Sequence, residues 1–519
     1  MATGTRSVAL RVGLLFWSLL CLAGPVTGGA GIRYEYTALP APYPNWNTLY
    51  FSPVDINNKS EVVGMTWTTG YVWRPATGYS YIPLPPVGMY SFTPAGINDF
   101  GQIVGRSAMT WGTYGTMYDP ATGWHYPNNA AAATAVNAHG QIVGAVPYMY
   151  AGYYSTQEGA YWSAFNAAPV QVVSAFSSSL CDINVGGRAC GNLYTDDYMW
   201  RALTWTSAGG IQYLAPLSGC TNTRANQISN ANQVVGASWA SGGTHPVMWG
   251  AGGGTPGDLG GFGGDGEALG INSCGQVVGY SKTTSGGQQA FVYVNNQMLD
   301  LNTLVPAGTP ALLSAVAIND KGQIVGQYTN DQGGAMGFFL SPVYMDNSNF
   351  EAPLTTGWSV SGEGTAATID QGGGQYAARL TAGSPVTISQ DVATPPALFD
   401  LNFDYRFLST DPACHLTVQL AGEEVESLYA PPTLAADMEW VSVQISDPAL
   451  QGLDAATLGF TYDGPSGSQV LIDNVKITQL PEPATLSLLA LGGLAMVRRR
   501  RAAGQGYPGN VGTQKGPKL

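Results

Sequence analysis

Histidines are the first residues to test for metal binding or acid–base catalysis, and this chain has four: His125, His139, His245 and His415. No two of them stand at the spacing of a metal site, and the sequence contains neither a His-Glu-x-x-His nor a Gly-x-Ser-x-Gly motif. Glu423, Glu424 and Glu426 form a charge run that is typical of a solvated loop. The paired carboxylates of a glycosidase meet in space rather than in sequence, so that reaction stays open. We nevertheless predict a protein that is not an enzyme.

Cysteines offer a second kind of chemistry. Of the six in the chain, Cys21 lies in an apolar stretch near the N-terminus, which leaves five. No Cys-x-x-Cys pair occurs, so we predict no zinc site. Cys181 and Cys190 could form a disulfide across one hairpin in an oxidising compartment. Unpaired, buried thiols are the alternative.

The composition favours short strands joined by tight turns. Charged residues make up 10% of the chain, against about 25% in an average soluble protein. Gly is abundant, with 69 of 519 residues, and supplies turns between strands. Net charge is −13, and the single dense basic cluster lies beside an apolar run. We therefore predict an all-β fold that does not bind nucleic acid.

The N-terminal residues have the features of an export signal. Arg6 and Arg11 give a positive start, an apolar stretch follows over residues 12–23, and small residues at 28–30 offer a cleavage site. We predict that residues 1–30 are a signal peptide that directs the chain out of the cytoplasm. A retained N-terminal membrane anchor is the alternative.

The C-terminal region combines three features in a fixed order. Pro481, Glu482 and Pro483 come first, and an apolar run of 12 residues follows at 486–497. A helix needs about 20 residues to span a bilayer, so we predict a short apolar helix that holds the chain at the inner membrane transiently. A basic cluster, which should remain cytoplasmic, completes the segment: Arg498, Arg499, Arg500 and Arg501.

This arrangement, at residues 480–501, resembles the PEP-CTERM sorting signal of exported proteins in exopolysaccharide-producing Gram-negative bacteria. The resemblance implies that a membrane-embedded exosortase recognises Pro481, Glu482 and Pro483 and removes the tail. The destination would be the cell surface or the extracellular matrix. Residues 502–519 extend past the point where such proteins usually end, and we predict that they form a disordered tail.

A short pattern recurs through the middle of the chain. It consists of an apolar residue, Asn, two variable residues, Gly-Gln, two β-branched residues and a closing Gly. The closing glycines are 39 to 47 residues apart. Six copies and one degenerate copy, at 183–191, occur at residues 56–64, 97–105, 136–144, 183–191, 228–236, 271–279 and 318–326.

Each copy predicts a hairpin, because Asn and Gly suit the turn and β-branched residues suit the next strand. With further strands in each period, the spacing is typical of four-stranded propeller blades. We predict a seven-bladed β-propeller over residues 31–345. The last copy lacks a fourth strand, and the segment at 33–40 precedes the first copy, so we expect that segment to close the last blade.

The stretch GDLGGFGGDGEALGINSCGQVVGYS, residues 257–281, makes the repeats similar to the HAF repeat family of extracellular proteins. The resemblance covers about residues 50–340; it implies extracellular placement and assigns no activity. Because the repeated Asn, Gly and Gln stand in nearly every copy, we interpret them as parts of the blade itself. A sevenfold binding site is the alternative.

Residues 346–478 lose the repeat and alternate in short strands, which predicts an antiparallel, jelly-roll-like β-sandwich. The sequence Asn349-Phe350-Glu351 with Trp358, together with residues 471–475, resembles carbohydrate-binding modules. In that family a structural calcium ion often joins the first and last strands. The resemblance implies that the oxygen atoms of Asp346, Glu351 and Asp473 could hold it. Ordinary turn carboxylates are the alternative.

Four aromatic residues of this segment could stack against sugar rings, although aromatic residues in strands also build cores. They are Trp358, Tyr376, Tyr405 and Trp440.

Taken together, these features predict a non-catalytic surface or matrix protein that binds or organises exopolysaccharide, or that scaffolds the surface. One alternative is a polysaccharide-cleaving enzyme, which would need two or more carboxylates from different blades at the propeller mouth. Another is a propeller that binds surface proteins. Exosortase is the expected processing partner.

Overall fold

The computed structural model describes most of the chain between residues 32 and 480. The described ranges are 32–39, 52–66, 69–85, 88–110, 112–150, 153–172, 177–330, 333–345, 348–372, 375–383, 385–395, 399–430, 440–446 and 455–480. In these ranges the fold is all-β: 38 strands form nine antiparallel sheets, and a single 3-10 turn, Leu301–Thr303, is the helical element. The predicted signal peptide, sorting signal and tail lie outside the described residues.

Seven of the sheets have four strands each and are numbered here in chain order. Sheet 1 contains β2 Ser52–Ile56, β3 Val62–Met65, β4 Gly70–Arg74 and β5 Gly78–Tyr81. Sheet 2 contains β6 Met89–Ile97, β7 Ile103–Met109, β8 Gly112–Asp119 and β9 Gly123–His125. Sheet 3 contains β10 Ala132–Val136, β11 Ile142–Tyr150, β12 Tyr153–Trp162 and β13 Val170–Gln171. Sheets 4 and 5 contain β14 Ser177–Ile183, β15 Ala189–Tyr194, β16 Trp200–Thr206, β17 Gly210–Tyr213; β18 Asn222–Ile228, β19 Val234–Ala240, β20 Gly243–Trp249 and β21 Gly257–Asp258. Sheets 6 and 7 contain β22 Gly263–Ile271, β23 Val277–Thr283, β24 Gln288–Val294, β25 Gln297–Asp300; β26 Leu312–Ile318, β27 Ile324–Thr329, β28 Ala335–Val343 and β1 Arg33–Leu39.

Sheet 7 joins the two ends of this region. Its outer strand is β1, which pairs antiparallel with β28 from Arg33 opposite Val343 to Leu39 opposite Gly337. The N-terminal strand therefore supplies the fourth strand that the last repeat lacks, as the sequence predicted. The pairing covers the edge of β28 that would otherwise offer free backbone groups.

The repeated turns are built alike because the same residues meet the same backbone demands. The residue before Gln or its equivalent has a positive φ in all seven turns, between 63° and 79°, and is Gly in five of them. The closing Gly faces the preceding strand so closely that a Cβ would overlap a carbonyl oxygen; at Gly236 that oxygen belongs to Arg224. Both positions are therefore constrained by the hairpin itself.

The repeated Asn connects one sheet to the next. In sheet 1, Oδ1 of Asn57 accepts from the backbone N–H groups of Lys59 (3.0 Å) and Glu61 (2.9 Å), while Nδ2 donates to the carbonyl of Asn98 in sheet 2 (3.0 Å). Equivalent sheet-to-sheet bonds, which we call the asparagine circuit, are donated by Asn57, Asn98, Asn137, Asn184, Asn272 and Asn319. Asn319 donates back to Asn57 (3.0 Å), and Ser229 interrupts the circuit in sheet 5.

Apolar side chains fill every seam between consecutive sheets. Sheets 1 and 2, for example, share a core that includes Val63 and Phe92, and sheets 7 and 1 share one that includes Phe339 and Trp73. The other five seams have corresponding clusters. Since a single four-stranded sheet cannot bury both of its faces alone, each sheet depends on its two neighbours.

Residues 359–479 form two five-stranded antiparallel sheets. One has the strand order β29-β32-β37-β34-β35 and the other β30-β31-β38-β33-β36. A single large core, which includes Phe403, Phe460 and Ile472, lies between them. The strands are β29 Ser359–Gly362, β30 Thr365–Gly372, β31 Gln375–Thr381, β32 Val386–Ala393, β33 Phe399–Phe407, β34 His415–Leu420, β35 Glu423–Tyr429, β36 Val441–Ser446, β37 Ala455–Asp463 and β38 Gln469–Gln479.

One strand of this sandwich corrects a prediction. Glu423, Glu424 and Glu426 lie in β35, the outermost strand of its sheet, and not in a loop. An edge strand exposes one row of backbone groups, and charged side chains there prevent pairing with another chain. The charge run is therefore compatible with a strand at this position.

The sandwich is anchored to the seven sheets through the end of β38. Gln479 is buried, and its Nε2 donates to the carbonyl of Asp320 in the turn of sheet 7 (2.6 Å). Its Oε1 accepts from the hydroxyl of Tyr344 (3.0 Å). The described chain ends one residue later, at Leu480, beside the repeated turns.

Candidate functional site

The sandwich carries a surface cavity of about 370 Å³ on the outer face of the sheet that contains β31, β38 and β33. Its residues come from the loop before β29, the start of β31, the middle of β33, the residue before β36 and the bend in β38. They are Asn349, Glu351, Gln375, Tyr376, Asp404, Trp440, Asp473 and Asn474. The volume lies in the range of ligand pockets, about 300 to 1,000 Å³.

The cavity brings together two of the four aromatic residues that the sequence suggested for sugar stacking. Tyr376 and Trp440 are both half-buried, so part of each ring is available to a ligand. The guanidinium carbon of Arg406 lies 5.7 Å from the centre of the Trp440 ring, a cation–π distance that fixes this ring from one side.

The burial of the other two aromatic residues corrects the prediction that they could stack against sugar rings. Trp358 is 4% exposed and packs against Phe350 and Phe460, with ring centres 5.4 and 6.1 Å away. Tyr405 is 8% exposed and lies in the same core. Side chains alternate between the two faces of a strand; in β33 this turns Asp404 outward and Tyr405 inward. Neither ring can stack against a sugar.

Three carboxylates line the cavity. Burial raises the pKa of Asp473, and the negative charges of Asp404 and Glu351 raise it further, while the backbone N–H of Asn474 acts in the opposite direction. Asp404 accepts hydrogen bonds from the Ser442 hydroxyl and from Nδ2 of Asn474 (2.8 Å). These bonds orient the carboxylate toward the cavity mouth and leave further acceptor capacity.

The predicted calcium ligands are only partly assembled. Glu351 and Asp473 share the cavity, whereas Asp346 lies outside the described residues. Across the described part of the chain, no three Asp, Glu, His or Cys side chains are close enough together to hold a metal ion. Glu351 and Asp473 therefore do not form a metal centre with Asp404, the third carboxylate of the cavity. The calcium ion stays a prediction.

A second cavity, of about 170 Å³, is lined by the repeated turns of all seven sheets. Asp55 of sheet 1 accepts from the backbone N–H groups of Ile56 (2.8 Å) and Ile97 (2.9 Å), and so bridges to sheet 2. Asp182 of sheet 4 bridges to Ile228 of sheet 5 in the same way (3.0 Å). With Asp99 of sheet 2 and Asp320 of sheet 7, four carboxylates from different sheets line this cavity. All four accept backbone N–H groups, from Asn58 in the case of Asp99 and from Ser273 in the case of Asp320.

Burial raises the pKa of Asp55 to about 7 and that of Asp182 to about 6. The backbone donors lower both pKa values, and the charges of Asp182 and Asp99 raise that of Asp55. Sequence reasoning missed these residues. They stand just before the apolar residue of a repeat, where other copies have Gly, Ala or Gln, so a position-by-position comparison of the repeats could have found them.

The predicted disulfide is also corrected. Cys181 and Cys190 are free thiols. In the pairing of β14 with β15, Leu180 lies opposite Gly191 and Asp182 opposite Cys190, so Cys181 is the extra residue of a β-bulge. Cys181 accepts instead from Nδ2 of Asn192 (3.1 Å), and burial raises its pKa to about 11.

The predicted sorting residues lie outside the described part of the chain, as does the short apolar helix. No helix among the described residues is long and apolar enough to cross a membrane. Within sheets 1 to 7, the structure shows the repeated Asn and Gly in structural roles. In the sandwich it adds Asp404 and Gln375 to the cavity, which no motif had indicated, and Asn474, which lies in the stretch 471–475 but had no assigned role.

Comparison with solved structures gives remote similarities. The module TmCBM61, solved with β-1,4-galactotriose, is 16% identical over 26% of this chain and 98% of its own, with a TM-score of 0.22. The xylan-binding module CBM22-1 of Paenibacillus barcinonensis Xyn10C is 14% identical over 26% of this chain and 94% of its own (TM-score 0.20). Virginiamycin B lyase of Staphylococcus aureus is 11% identical over 60% and 100% (TM-score 0.38). No relative was found among curated protein sequences. TM-scores this low carry no conclusion about function.

A family model gives a more direct result at the C-terminus. The PEP-CTERM protein-sorting motif matches residues 479–501, which include the residues that the sequence analysis assigned to exosortase recognition. This motif indicates export in a Gram-negative bacterium, processing by exosortase and a destination in the cell envelope or at the surface.

Proposed function

We propose that this chain is a non-catalytic surface or matrix protein that binds polysaccharide through the sandwich cavity. The observation that carries the proposal is the meeting of Tyr376 and Trp440 with hydrogen-bonding side chains in one open cavity. Sugar rings have apolar faces that stack on aromatic rings and hydroxyl edges that need donors and acceptors. Asp404 and Asn474 supply acceptors and donors at the same place.

We also propose that sheets 1 to 7 are the blades of a seven-bladed propeller of the HAF repeat type. The bond from Asn319 of sheet 7 back to Asn57 of sheet 1 and the seven apolar seams support this architecture. In a propeller, the cavity lined by all seven turns lies on the central axis. The propeller would then be a rigid platform that carries the sandwich at sheets 6 and 7.

The enzyme alternative has one observation in its favour. Asp55 and Asp182 are two of the four aspartates that reach the axial cavity from different blades, as a carboxylate pair for glycoside hydrolysis would. Both carboxylates, however, accept two backbone N–H groups each, which makes them braces between blades. A structural role explains every contact that the two side chains make, so we favour the non-catalytic function.

A binding experiment tests the sandwich site. The exported protein is run through native gels that contain β-1,4-galactan, xylan or the exopolysaccharide of the producing bacterium. We expect at least one polysaccharide to retard the wild type, and Trp440→Ala to reduce the retardation about tenfold in apparent affinity, in line with a lost stacking contact. Tyr429→Ala is the matched control, because Tyr429 is a 65% exposed tyrosine on β35 of the other sheet.

The same preparations separate binding from cleavage. The wild type is incubated with each polysaccharide for hours and assayed for new reducing ends. Cleavage that is abolished in Asp55→Asn or Asp182→Asn would favour the enzyme. Equal retardation of the wild type and of Trp440→Ala in every gel would overturn the sandwich site.

Mass spectrometry of the mature protein tests its sorting, and we expect losses near residues 30 and 481.

A further inference from the structure

An exposed group of aromatic rings lies at the tip of the hairpin between β15 and β16. Tyr198 is 79% exposed, Trp200 is 38% exposed and Tyr194 is half-buried between them. The ring centre of Tyr194 lies 5.3 Å from that of Trp200 and 6.3 Å from that of Tyr198. We call these three residues the hairpin aromatic cluster. Two of its three rings are exposed, so binding of a ligand would bury apolar surface.

The backbone of this tip is arranged to present the most exposed ring. Tyr198 has a φ of 64°, a left-handed conformation that is unfavourable for a bulky residue. The tip is closed by hydrogen bonds from the N–H of Tyr198 to the carbonyl of Thr195 (2.9 Å) and from the N–H of Thr195 to the carbonyl of Met199 (3.0 Å). A smaller, turn-forming residue would close the same turn without strain, so the tyrosine is not required by the fold.

Polar groups surround the cluster. Asp197 accepts from the Thr195 hydroxyl and pairs with Nη2 of Arg201 (3.2 Å). Asn222, from the neighbouring sheet 5, accepts the N–H of Trp200 at its Oδ1 (3.0 Å). Asp196 is exposed beside them. Charged and amide side chains therefore lie within one or two residues of each ring, as a sugar with hydroxyl edges requires.

The cluster lies at the end of sheet 4 that does not carry the repeated turn. Consecutive hairpins of an antiparallel sheet alternate between its two ends, and the repeated turn between β14 and β15 is at the end opposite to Tyr198. Gln479 anchors the sandwich at the end that carries the repeated turns. The cluster consequently lies at the end of its sheet opposite to the repeated turns, whereas the sandwich contacts sheet 7 at its repeated turn.

We propose that the hairpin aromatic cluster is a second polysaccharide-binding site, which stacks a pyranose ring on Tyr198 and Trp200. Its chemistry matches that of the sandwich cavity: a Trp with an Arg nearby, a Tyr, an Asp and an Asn. The choice of ligand rests on the proposed function of that cavity. With one site on the sandwich and one on sheet 4, one protein can join two polysaccharide chains, which is what organising a matrix requires.

A protein partner is the competing occupant. Protein interfaces concentrate their binding energy in aromatic residues that a surrounding ring of contacts shields from water. The cluster stands on a narrow tip with charged neighbours, Asp196 and Asp197, and offers no such surround. A single sugar ring needs only the area of one or two aromatic faces, so the shape of the tip favours a glycan.

Calorimetric titration with short fragments of β-1,4-galactan, xylan and the exopolysaccharide of the producing bacterium tests the proposal, because fragments too short to reach both sites count the sites directly. We expect two binding sites per wild-type protein for at least one fragment. The double variant Tyr198→Ala/Trp200→Ala should retain one site, and Trp440→Ala should retain the other. Tyr213→Ala is the matched control, since Tyr213 is a 60% exposed tyrosine on β17 of the same sheet.

The outcomes separate this inference from the proposed function. One site in the wild type that Trp440→Ala alone abolishes would overturn the second site and leave the first standing. One site in the wild type that only the double variant abolishes would overturn the sandwich site and leave the hairpin aromatic cluster standing. Binding that neither change affects, or none with any fragment, would overturn both, and a protein captured from envelope extracts by the wild type but not by the double variant would assign the cluster to a protein partner. Alanine at position 198 keeps the unfavourable backbone conformation, so folding is expected to be unchanged.

Discussion

The sandwich cavity and the cavity among the seven sheets are both lined by Asp, Asn and Gln residues, yet those residues are used differently. In the seven sheets, Oδ1 of Asn57 accepts two backbone N–H groups of its own turn, and Nδ2 donates to a carbonyl of the next sheet. In the sandwich, Asp404 and Asn474 bond to each other and still line an open cavity. A polar residue that recurs in every repeat builds the repeat, whereas one that occurs once on an outer face is available to a ligand.

The two predicted sugar-binding tryptophans test this difference most strongly. Trp358→Ala should destabilise the sandwich by about 4 kcal/mol, because it removes a large buried ring from the core and leaves a cavity. Trp440→Ala should cost less than about 1 kcal/mol, because its ring is half-exposed on the surface. Chemical denaturation of both variants measures the difference. Similar losses in the two variants would mean that Trp440 is also a core residue and would weaken the proposed site.

The repeated glycines give the next largest effect. Gly236→Ala places a Cβ against the carbonyl oxygen of Arg224, a backbone atom that cannot rotate away. We expect a loss of about 3 kcal/mol, as for other overpacked sites. Gly459→Ala in the sandwich is the control, since the nearest atoms there lie 3.9 and 4.0 Å from the new Cβ. A neutral Gly236→Ala would show that the closing Gly is not set by the hairpin.

Repetition explains why the seven sheets were easier to predict than the site. The hairpins and the role of the repeated Asn and Gly follow from positions that recur in six or seven copies, and the pairing of β1 with β28 follows from the one strand that the last copy lacks. The cavity of the sandwich has no such repetition. Asp404 meets Asp473 only through the register between β33 and β38, and register depends on packing of the whole core.

Burial and local irregularity caused the wrong predictions. Trp358 and Tyr405 have the same residue types as Trp440 and Tyr376. The alternation of strand faces in β33 turns Tyr405 into the core, and Trp358, which lies just before β29, is buried by packing against Phe350 and Phe460. The disulfide prediction failed at Cys181 because a bulge removed that residue from its register. Neither feature leaves a mark in residue type or spacing.

The pH dependence of stability tests whether Asp55 is a brace. Its pKa in the folded state, about 7, exceeds the ordinary value of about 3.9, so the folded protein holds this proton more tightly than the unfolded chain. The stabilising contribution is complete below about pH 4 and is lost as the pH rises through about 7.

Asp55→Asn cannot ionise, so its melting temperature should fall less than that of the wild type between about pH 5 and pH 8. Asp119→Asn is the control: a hydrogen bond from Gln102 lowers the pKa of Asp119, so its contribution is lost at low pH instead. An unchanged pH profile in Asp55→Asn would contradict the assigned role. Asp182→Asn should act in the same direction, because the contribution of Asp182 is complete below about pH 4 and is lost as the pH rises through about 6.

The smallest expected effect comes from repairing the asparagine circuit. Ser229 stands where six other copies have Asn, and its hydroxyl accepts the N–H of Gln233 (3.2 Å) without reaching sheet 6. In Ser229→Asn, Nδ2 should donate to the carbonyl of Asn272 and complete the circuit, which would stabilise the protein by about 1 kcal/mol.

Asn137→Ser, which opens the same circuit between sheets 3 and 4, is the matched control and should destabilise the protein by a similar amount. Thermal unfolding of both variants gives the comparison. If Ser229→Asn lowers the melting temperature, the seam between sheets 5 and 6 is too close for an amide, and Ser would be the residue that this seam requires. The circuit would then be a set of separate seams, each fitted to its own spacing.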